Sequence, residues 1–230
     1  MEKNTRSQNI QLMFNKIAKK YDLMNCIMSL GNHKKWEQEI VESIKLNANK
    51  TDKILDIACG TGSLTQEIIK NSSNDQVIGL DFSDAMLKIA KNTVSNLILG
   101  DSHYLPFKKN YFDHITIAYG IRNFENITQS LQEINYVLNN KGTLNIIEII
   151  KPCSNIKSFI FKLGFFIFAP LFGLIFSHNF SAYLYLPKSS NSFLTENKIN
   201  SLLQKNGFNK ITTKKKAFGS VILLNALKSN

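Results

Sequence analysis

From Lys53 onward the chain alternates short apolar runs with amphipathic segments. The runs are KILDIA (Lys53–Ala58), QVIGLD (Gln76–Asp81), SNLIL (Ser95–Leu99), DHITIA (Asp113–Ala118) and TLNIIEI (Thr143–Ile149). They are rich in β-branched residues and bounded by Gly, Asp or Asn, the pattern of strands buried on both faces. Between them lie SLTQEIIK, SDAMLKIAK and ITQSLQEINYVL, with apolar residues at helical spacing; Ser83 and Asp84 suit the cap of the second. Repeated strand–helix alternation predicts an α/β fold, a parallel sheet covered by helices on both faces. After Lys151 the character changes to FIFKLGFFIFAPLFGLIF (Phe159–Phe176). A helix is predicted around Thr195–Lys205, and the tail Lys210–Lys228 reads as two more strands in a hairpin. No repeat or long linker divides the chain. A single domain over 1–230 is therefore expected: a helical segment at 1–50, an alternating core at 51–150, an apolar insertion at 151–194, and a closing helix and hairpin at 195–230.

Composition changes this picture little. Across 230 residues, 43% are hydrophobic and 20% charged, enough for one large domain with a sizeable core. No basic, apolar and small-residue succession marks a secretory signal. Cys26, Cys59 and Cys153 form no CxxC pair, and an odd count argues against a disulfide framework, so a reducing compartment is the simplest reading. The net charge of +11 suits nucleic acid, an anionic membrane or a merely solvated basic face.

LDIACGTG (Leu55–Gly62) is a strand running into a glycine turn and then a helix. Gly60 and Gly62 allow close backbone approach, and the helix start offers free N–H groups. Thr65 stands where the dinucleotide pattern needs its third glycine, and no Lys-Ser or Lys-Thr follows as in a phosphate loop. Asp81 ends the second strand, where a carboxylate can accept from two ribose hydroxyls. Asp101 follows the third strand in GDSHYLPF, where it can accept from an adenine amine with the Ser102 backbone beside it. Three acids at successive strand ends, Asp56 included, fit a nucleoside carrying a short zwitterion better than a diphosphate. S-adenosylmethionine is such a molecule, and Asp56 is placed to help hold its amino group. The plainer reading of each Asp alone is a helix cap or strand end. Gly60, Thr61, Gly62, Asp81, Asp101 and Ser102 make up the candidate cofactor site, and no metal site is read.

This arrangement resembles the class I S-adenosylmethionine-dependent methyltransferases over roughly Lys53–Ile149. The resemblance implies a Rossmann-like, seven-stranded, mostly parallel sheet with an antiparallel C-terminal hairpin. The opening segment YDLMNCIMSLGNHKKW (Tyr21–Trp36) is more specific. With LDIACGTG, LPF (Leu105–Phe107), YGIRNF (Tyr119–Phe124) and YLYLPKS (Tyr183–Ser189), it is similar to the family that C-methylates prenylated quinone precursors in ubiquinone and menaquinone synthesis. YVLNNKG (Tyr136–Gly142) departs from that family's basic, Pro-Gly-rich signature. Ala118 stands where many relatives carry serine, so it receives no side-chain role.

The resemblance implies a reduced prenylated quinol as methyl acceptor, a demethylmenaquinol or a 2-phytyl-1,4-naphthoquinol, with a ubiquinone precursor also open. Tyr21, Asn25, His33 and Tyr185 are the candidate substrate residues; a core-packing role for Tyr21, Met24, His33 and Trp36 is the plainer alternative. Arg122 and Asn123, ending the fourth strand, are the candidate catalytic pair, Arg122 steadying a developing oxyanion and Asn123 bonding an oxygen; a salt bridge and a turn residue are the alternative. Gly164, Pro170, Gly173 and the charge of Lys162 argue against a membrane span in Phe159–Phe176 and for a lid or interfacial surface. The expected setting is the cytoplasm, or an organelle stroma or matrix, with peripheral membrane association. A homodimer or quinone-synthesis complex stays open. The competing functions are an RNA or protein methyltransferase on the same fold and a non-catalytic cofactor-binding scaffold. No base-holding Asn-Pro-Pro-aromatic motif or basic–aromatic interleaving supports nucleic acid as a partner.

Overall fold

The structure, a computed structural model, describes residues 6–44, 51–72, 76–151, 189 and 193–229. The apolar stretch Phe159–Phe176 and Tyr185 lie outside the described residues. Three helices open the chain: α1 (Arg6–Ile17), α2 (Tyr21–Met28) and α3 (Asn32–Ile44). The alternating core follows as β1 (Ile54–Ile57), α4 (Ser63–Ser72), β2 (Val77–Asp81), α5 (Asp84–Ala90), β3 (Leu97–Leu99), β4 (Phe112–Ala118), α6 (Ile127–Val137) and β5 (Leu138–Ile149). Then come α7 (Glu196–Lys205), β6 (Phe208–Lys216) and β7 (Val221–Lys228). The caps are built from local side chains: Ser83 accepts from the Met86 N–H and Asn126 from the Gln129 N–H.

The seven strands lie in the order β3-β2-β1-β4-β5-β7-β6. All pairs among β1 to β5 are parallel. β7 runs antiparallel between β5 and β6, so the expected hairpin is present, with its second strand inserted beside β5. Alternating side chains divide the core. Leu55, Ile57, Ile115, Ile117, Ile146 and Leu224 pack with Leu131, Ile134 and Leu203 of α6 and α7. Ile54, Val77, Ile147 and Leu223 pack on the other face with Trp36, Ile40, Leu64 and Ile68 of α3 and α4. Each fully buried aliphatic side chain contributes about 1.5–3 kcal/mol, so the two faces together hold the layers.

β5 begins five residues before the predicted Thr143. The segment Leu138–Gly142 joins the strand through an irregular register against β4 between Phe112 and His114, and Lys141 has φ +62°. Its polar Asn, Lys and Gly residues hid it from the hydrophobic pattern. The chain reverses direction across the sheet between β1 and β4, and the crevice of an open parallel sheet lies at such a switch, at the strands' C-terminal ends.

Candidate active site

A cleft of about 620 Å³, open to solvent, occupies this position. The ends of four of the five parallel strands, β1 to β4, line it: Ile57, Ala58 and Gly60; Leu80, Asp81 and Phe82; Gly100 to His103; and Ala118 to Gly120. Ala58 and Tyr119, which leave β1 and β4, both take left-handed backbone (φ +57° and +56°). Non-glycine residues adopt this conformation at a cost on the order of 1–3 kcal/mol, commonly where the chain must bend around a site. Gly120 lets the two bends approach: a Cβ there would lie 2.6 Å from the Ala58 Cβ.

At the glycine turn, Gly60 has φ +58°, and a Cβ on it would stand 3.8 Å from Cε1 of Tyr21, in the space beneath that ring. The Gly60 N–H donates to Oδ2 of Asp81 at 2.8 Å, and the Ser83 N–H donates to its Oδ1 at 2.8 Å. Asp81 is buried, and burial pushes its carboxyl up to about 6. Asp101 accepts at Oδ1 from the His103 N–H at 3.0 Å and lies 2.5 Å from His103 Nδ1. Ser102 meets Ser130 of α6 at 2.9 Å.

The N-terminal helices are sewn onto the strand ends by polar contacts. Ser83 donates to Asn15 Oδ1 at 2.6 Å, and Thr61 donates to Asp22 Oδ1 at 2.6 Å. Lys34 donates to Ser63 Oγ at 2.6 Å, and that hydroxyl lies 2.8 and 2.9 Å from the two oxygens of buried Glu37. Tyr21, hydrogen-bonded to Asn25, thereby sits over the cleft; burial raises its pKa, against the pull of the Arg122 charge, and keeps it a donor rather than a base. The Tyr119 hydroxyl is buried without a hydrogen-bond partner among the described residues, and burial, with Glu37 and Tyr21 nearby, pushes it well up.

Of the residues expected from sequence, Gly60, Asp81, Asp101, Ser102, Tyr21 and Asn123 line the cleft. Thr61, Gly62, Asn25, His33 and Arg122 do not. Thr61 is taken up by Asp22. Gly62 (φ +85°) lies where a Cβ would come within 3.1 Å of Val94 and 3.3 Å of Ala90, so it seats the turn on α5. His33 is buried against Ser29 at 2.9 Å, and burial lowers its pKa, which keeps it neutral. Asp56 is expected from sequence near a bound amino group; instead its two oxygens accept from Thr65 at 2.6 Å and Thr116 at 2.8 Å inside the core, and burial pushes its carboxyl to about 7.

Arg122 is expected from sequence beside the methyl acceptor. In the structure it does not line the cleft; its guanidinium lies 2.7 Å from Glu148, with the pair 2% and 0% exposed. The same NH1 donates to the Tyr119 carbonyl, and the Arg122 N–H donates to Glu148 at 3.2 Å. An arginine at a strand end satisfies its charge with the nearest acid across the sheet, and that acid is Glu148 of β5. Sequence reasoning gives no role to Tyr119, His103, Asp22 and Glu37. The first three stand inside quoted motifs, YGIRNF, GDSHYLPF and YDLMNCIMSLGNHKKW; nothing local marks Glu37.

The model of the ubiE/COQ5 methyltransferase family matches residues 2–228. The chain belongs to this family. Similar proteins include the demethylmenaquinone methyltransferase of Thermotoga maritima, 40% identical over 201 residues, covering 85% of this chain and 86% of the relative. That of Lactiplantibacillus plantarum is 34% identical over 226 residues, 94% of each chain. The ubiquinone/menaquinone biosynthesis C-methyltransferase UbiE of Wigglesworthia glossinidia brevipalpis is 35% identical over 217 residues, 90% of this chain and 86% of the relative. Among solved structures, the [4+2]-cyclase SpnF superposes with a TM-score of 0.69 at 13% identity, over 98% of this chain and 96% of that one. Haemonchus contortus phosphoethanolamine N-methyltransferase 2, solved with S-adenosyl-L-methionine, superposes with a TM-score of 0.62 at 15% identity, over 84% and 52%. At those identities the superpositions establish the fold, while the family match makes this member of the ubiE/COQ5 family a methyltransferase. No helix among the described residues is long and apolar enough to cross a membrane.

Proposed function

We propose that the protein transfers the methyl group of S-adenosylmethionine to a ring carbon of a reduced, prenylated quinone precursor, a demethylmenaquinol or related naphthoquinol. One observation carries the reading within the family: a buried carboxylate, Asp81, stands at the sheet's switch point with both oxygens oriented by backbone N–H groups, beside a glycine whose missing side chain leaves room under Tyr21. These residues fit the cofactor. Asp81 would accept from ribose hydroxyls, Asp101 from the adenine amine, and the Gly60–Gly62 turn would meet the carboxylate end. When bound, the sulfonium supplies an electrophilic methyl group without need of a Lewis acid.

The chain's own residues then position the acceptor. A quinol ring carbon is nucleophilic only with electron density pushed in from its oxygens, so the site must favour phenolate character. Tyr21 and Asn123 of the cleft lining would hydrogen-bond those oxygens, with Tyr119 beside them. Arg122, buried on Glu148, acts through the Tyr119 carbonyl it holds and lends positive potential. The displaced ring proton leaves to solvent; Tyr21, held protonated, does not take it.

The same reading places the protein at an anionic bilayer surface, where a prenyl tail partitions. Leu23 and Leu30 are 50% and 84% exposed on and just after α2, with exposed Lys19, Lys20, Lys34 and Lys35 in the flanking sequence, which supports it. The decisive assay is purified protein with methyl-labelled S-adenosylmethionine and a 2-prenyl-1,4-naphthoquinol, read by mass spectrometry. Label on the ring carbon of the quinol, and none on the oxidised quinone, is expected. Label on RNA or protein, or on neither with a competent quinol present, refutes the reading.

A further inference from the structure

The cleft has two walls that the reaction uses differently. The loop after β3 carries Asp101, on the cofactor side. The loop between β4 and α6 carries Asn123, Phe124 and Glu125, on the acceptor side. One side chain touches both. His103 Nδ1 lies 2.5 Å from Asp101 Oδ1, while its Nε2 accepts from the Asn126 N–H at 2.9 Å. The ring also meets Phe124 edge-on, with centroids 6.4 Å apart.

These contacts define the imidazole. A backbone N–H can only donate, so Nε2 is the acceptor and carries no proton. Nδ1 then holds the ring proton and donates it to Asp101. Both side-chain hydrogen bonds of Asp101 among the described residues fall on Oδ1. That leaves Oδ2 as the oxygen to receive an amine. Asp101 is 46% exposed on a loop, where a lone carboxylate would sample several rotamers, whereas His103 is 10% exposed and fixed at both nitrogens. The backbone repeats the clamp: Gln129 donates to the His103 carbonyl at 3.2 Å, and the Leu105 N–H donates to Glu133 at 2.9 Å.

We propose that His103 is a positioning residue that straps the cofactor wall to the acceptor wall, orienting Asp101 and transmitting its occupancy to the loop ahead of α6. The proposal rests on the reading that the cleft takes S-adenosylmethionine. A single rigid group bonded to two loops makes their conformations interdependent, and such coupling is reciprocal between the two ligands. Binding at Asp101 therefore orders residues 119–127 before the acceptor arrives, and a bound acceptor tightens the cofactor.

Two conservative variants separate the ring's two ends. Asparagine keeps an N–H near the place of Nδ1 and loses the contact with Asn126. Glutamine keeps an acceptor near the place of Nε2 and loses the contact with Asp101. Calorimetry with S-adenosylhomocysteine reads the first end, and hydrogen exchange of residues 119–127 with and without that ligand reads the second. His103→Gln should bind on the order of 10-fold more weakly, as for a lost hydrogen bond to a charged group. His103→Asn should bind within about 3-fold of wild type, yet show no ligand-induced protection of 119–127. His103→Ala should lose both. Unchanged binding in His103→Gln, or protection that survives in His103→Asn, overturns the strap. Equal losses in all three variants, tracking a lowered melting temperature, also overturn it by showing a merely structural ring. Absence of binding by wild type brings down the cofactor reading itself, and the strap with it.

Discussion

Replacing Arg122 by methionine tests whether this residue holds the site together. Its guanidinium lies 2.7 Å from Glu148, with the two side chains 2% and 0% exposed, so water gives neither charge any relief. Removing one member of a buried pair strands the other, at about 3–5 kcal/mol. For a chain of this size each kcal/mol lowers the melting temperature by roughly 2–4 °C, so Arg122→Met should melt on the order of 6–20 °C below wild type. Adding Glu148→Gln removes the stranded charge yet leaves an amide oxygen for the Ile149 N–H, which Glu148 Oε1 accepts at 2.7 Å. The double variant should therefore recover at least half of the loss, a coupling that scanning calorimetry of the four proteins measures directly. A single variant within about 2 °C of wild type, or a double variant no better than the single, would refute the argument from charge burial. The double variant also divides the roles. If Arg122 acts only through the Tyr119 carbonyl, the refolded double variant keeps S-adenosylhomocysteine affinity and measurable turnover. Intact folding with no turnover would instead place the guanidinium on the substrate.

Three further outcomes follow from individual contacts. The Asp56 carboxyl is raised from 3.8 to about 7 by burial, so the folded chain binds more protons than the unfolded one between those values. Stability should fall as pH rises from about 4 to 7, and urea midpoints for Asp56→Asn should show a flatter slope across that window; an unchanged slope would disprove the assignment. Gly120→Ala puts a Cβ 2.6 Å from that of Ala58 and should cost about 1–3 kcal/mol in denaturant unfolding, while adding Ala58→Gly removes the opposing methyl and should restore stability. Tyr119→Phe deletes a buried hydroxyl with no partner among the described residues, so stability should hold or rise by up to about 1 kcal/mol. Its kcat/KM with the quinol should nevertheless fall about 10-fold if that hydroxyl meets a ring oxygen, and an unchanged value would remove Tyr119 from the site.

The sequence by itself determined the layered α/β architecture and several of the residues that line the cleft. Strand and helix periods are local properties, so the runs at Ile54–Ile57, Val77–Asp81 and Phe112–Ala118 and the cap at Ser83 were legible from neighbouring residues alone. The glycine turn, Asp81 and Asp101 were legible because strand ends in a parallel sheet converge by topology. Tertiary structure decided the rest. The strand β7 lies between β5 and β6 because its two apolar faces fill both sides of the core there, which no local pattern specifies. Arg122 became a buried structural cation, and Asp56 a core acceptor, because their partners Glu148, Thr65 and Thr116 meet them only once the sheet is assembled. Tyr119 and His103 acquired their places in the same way. A residue type states which bonds a side chain can make, but its partner and its exposure to water, which set its charge state and use, exist only in three dimensions.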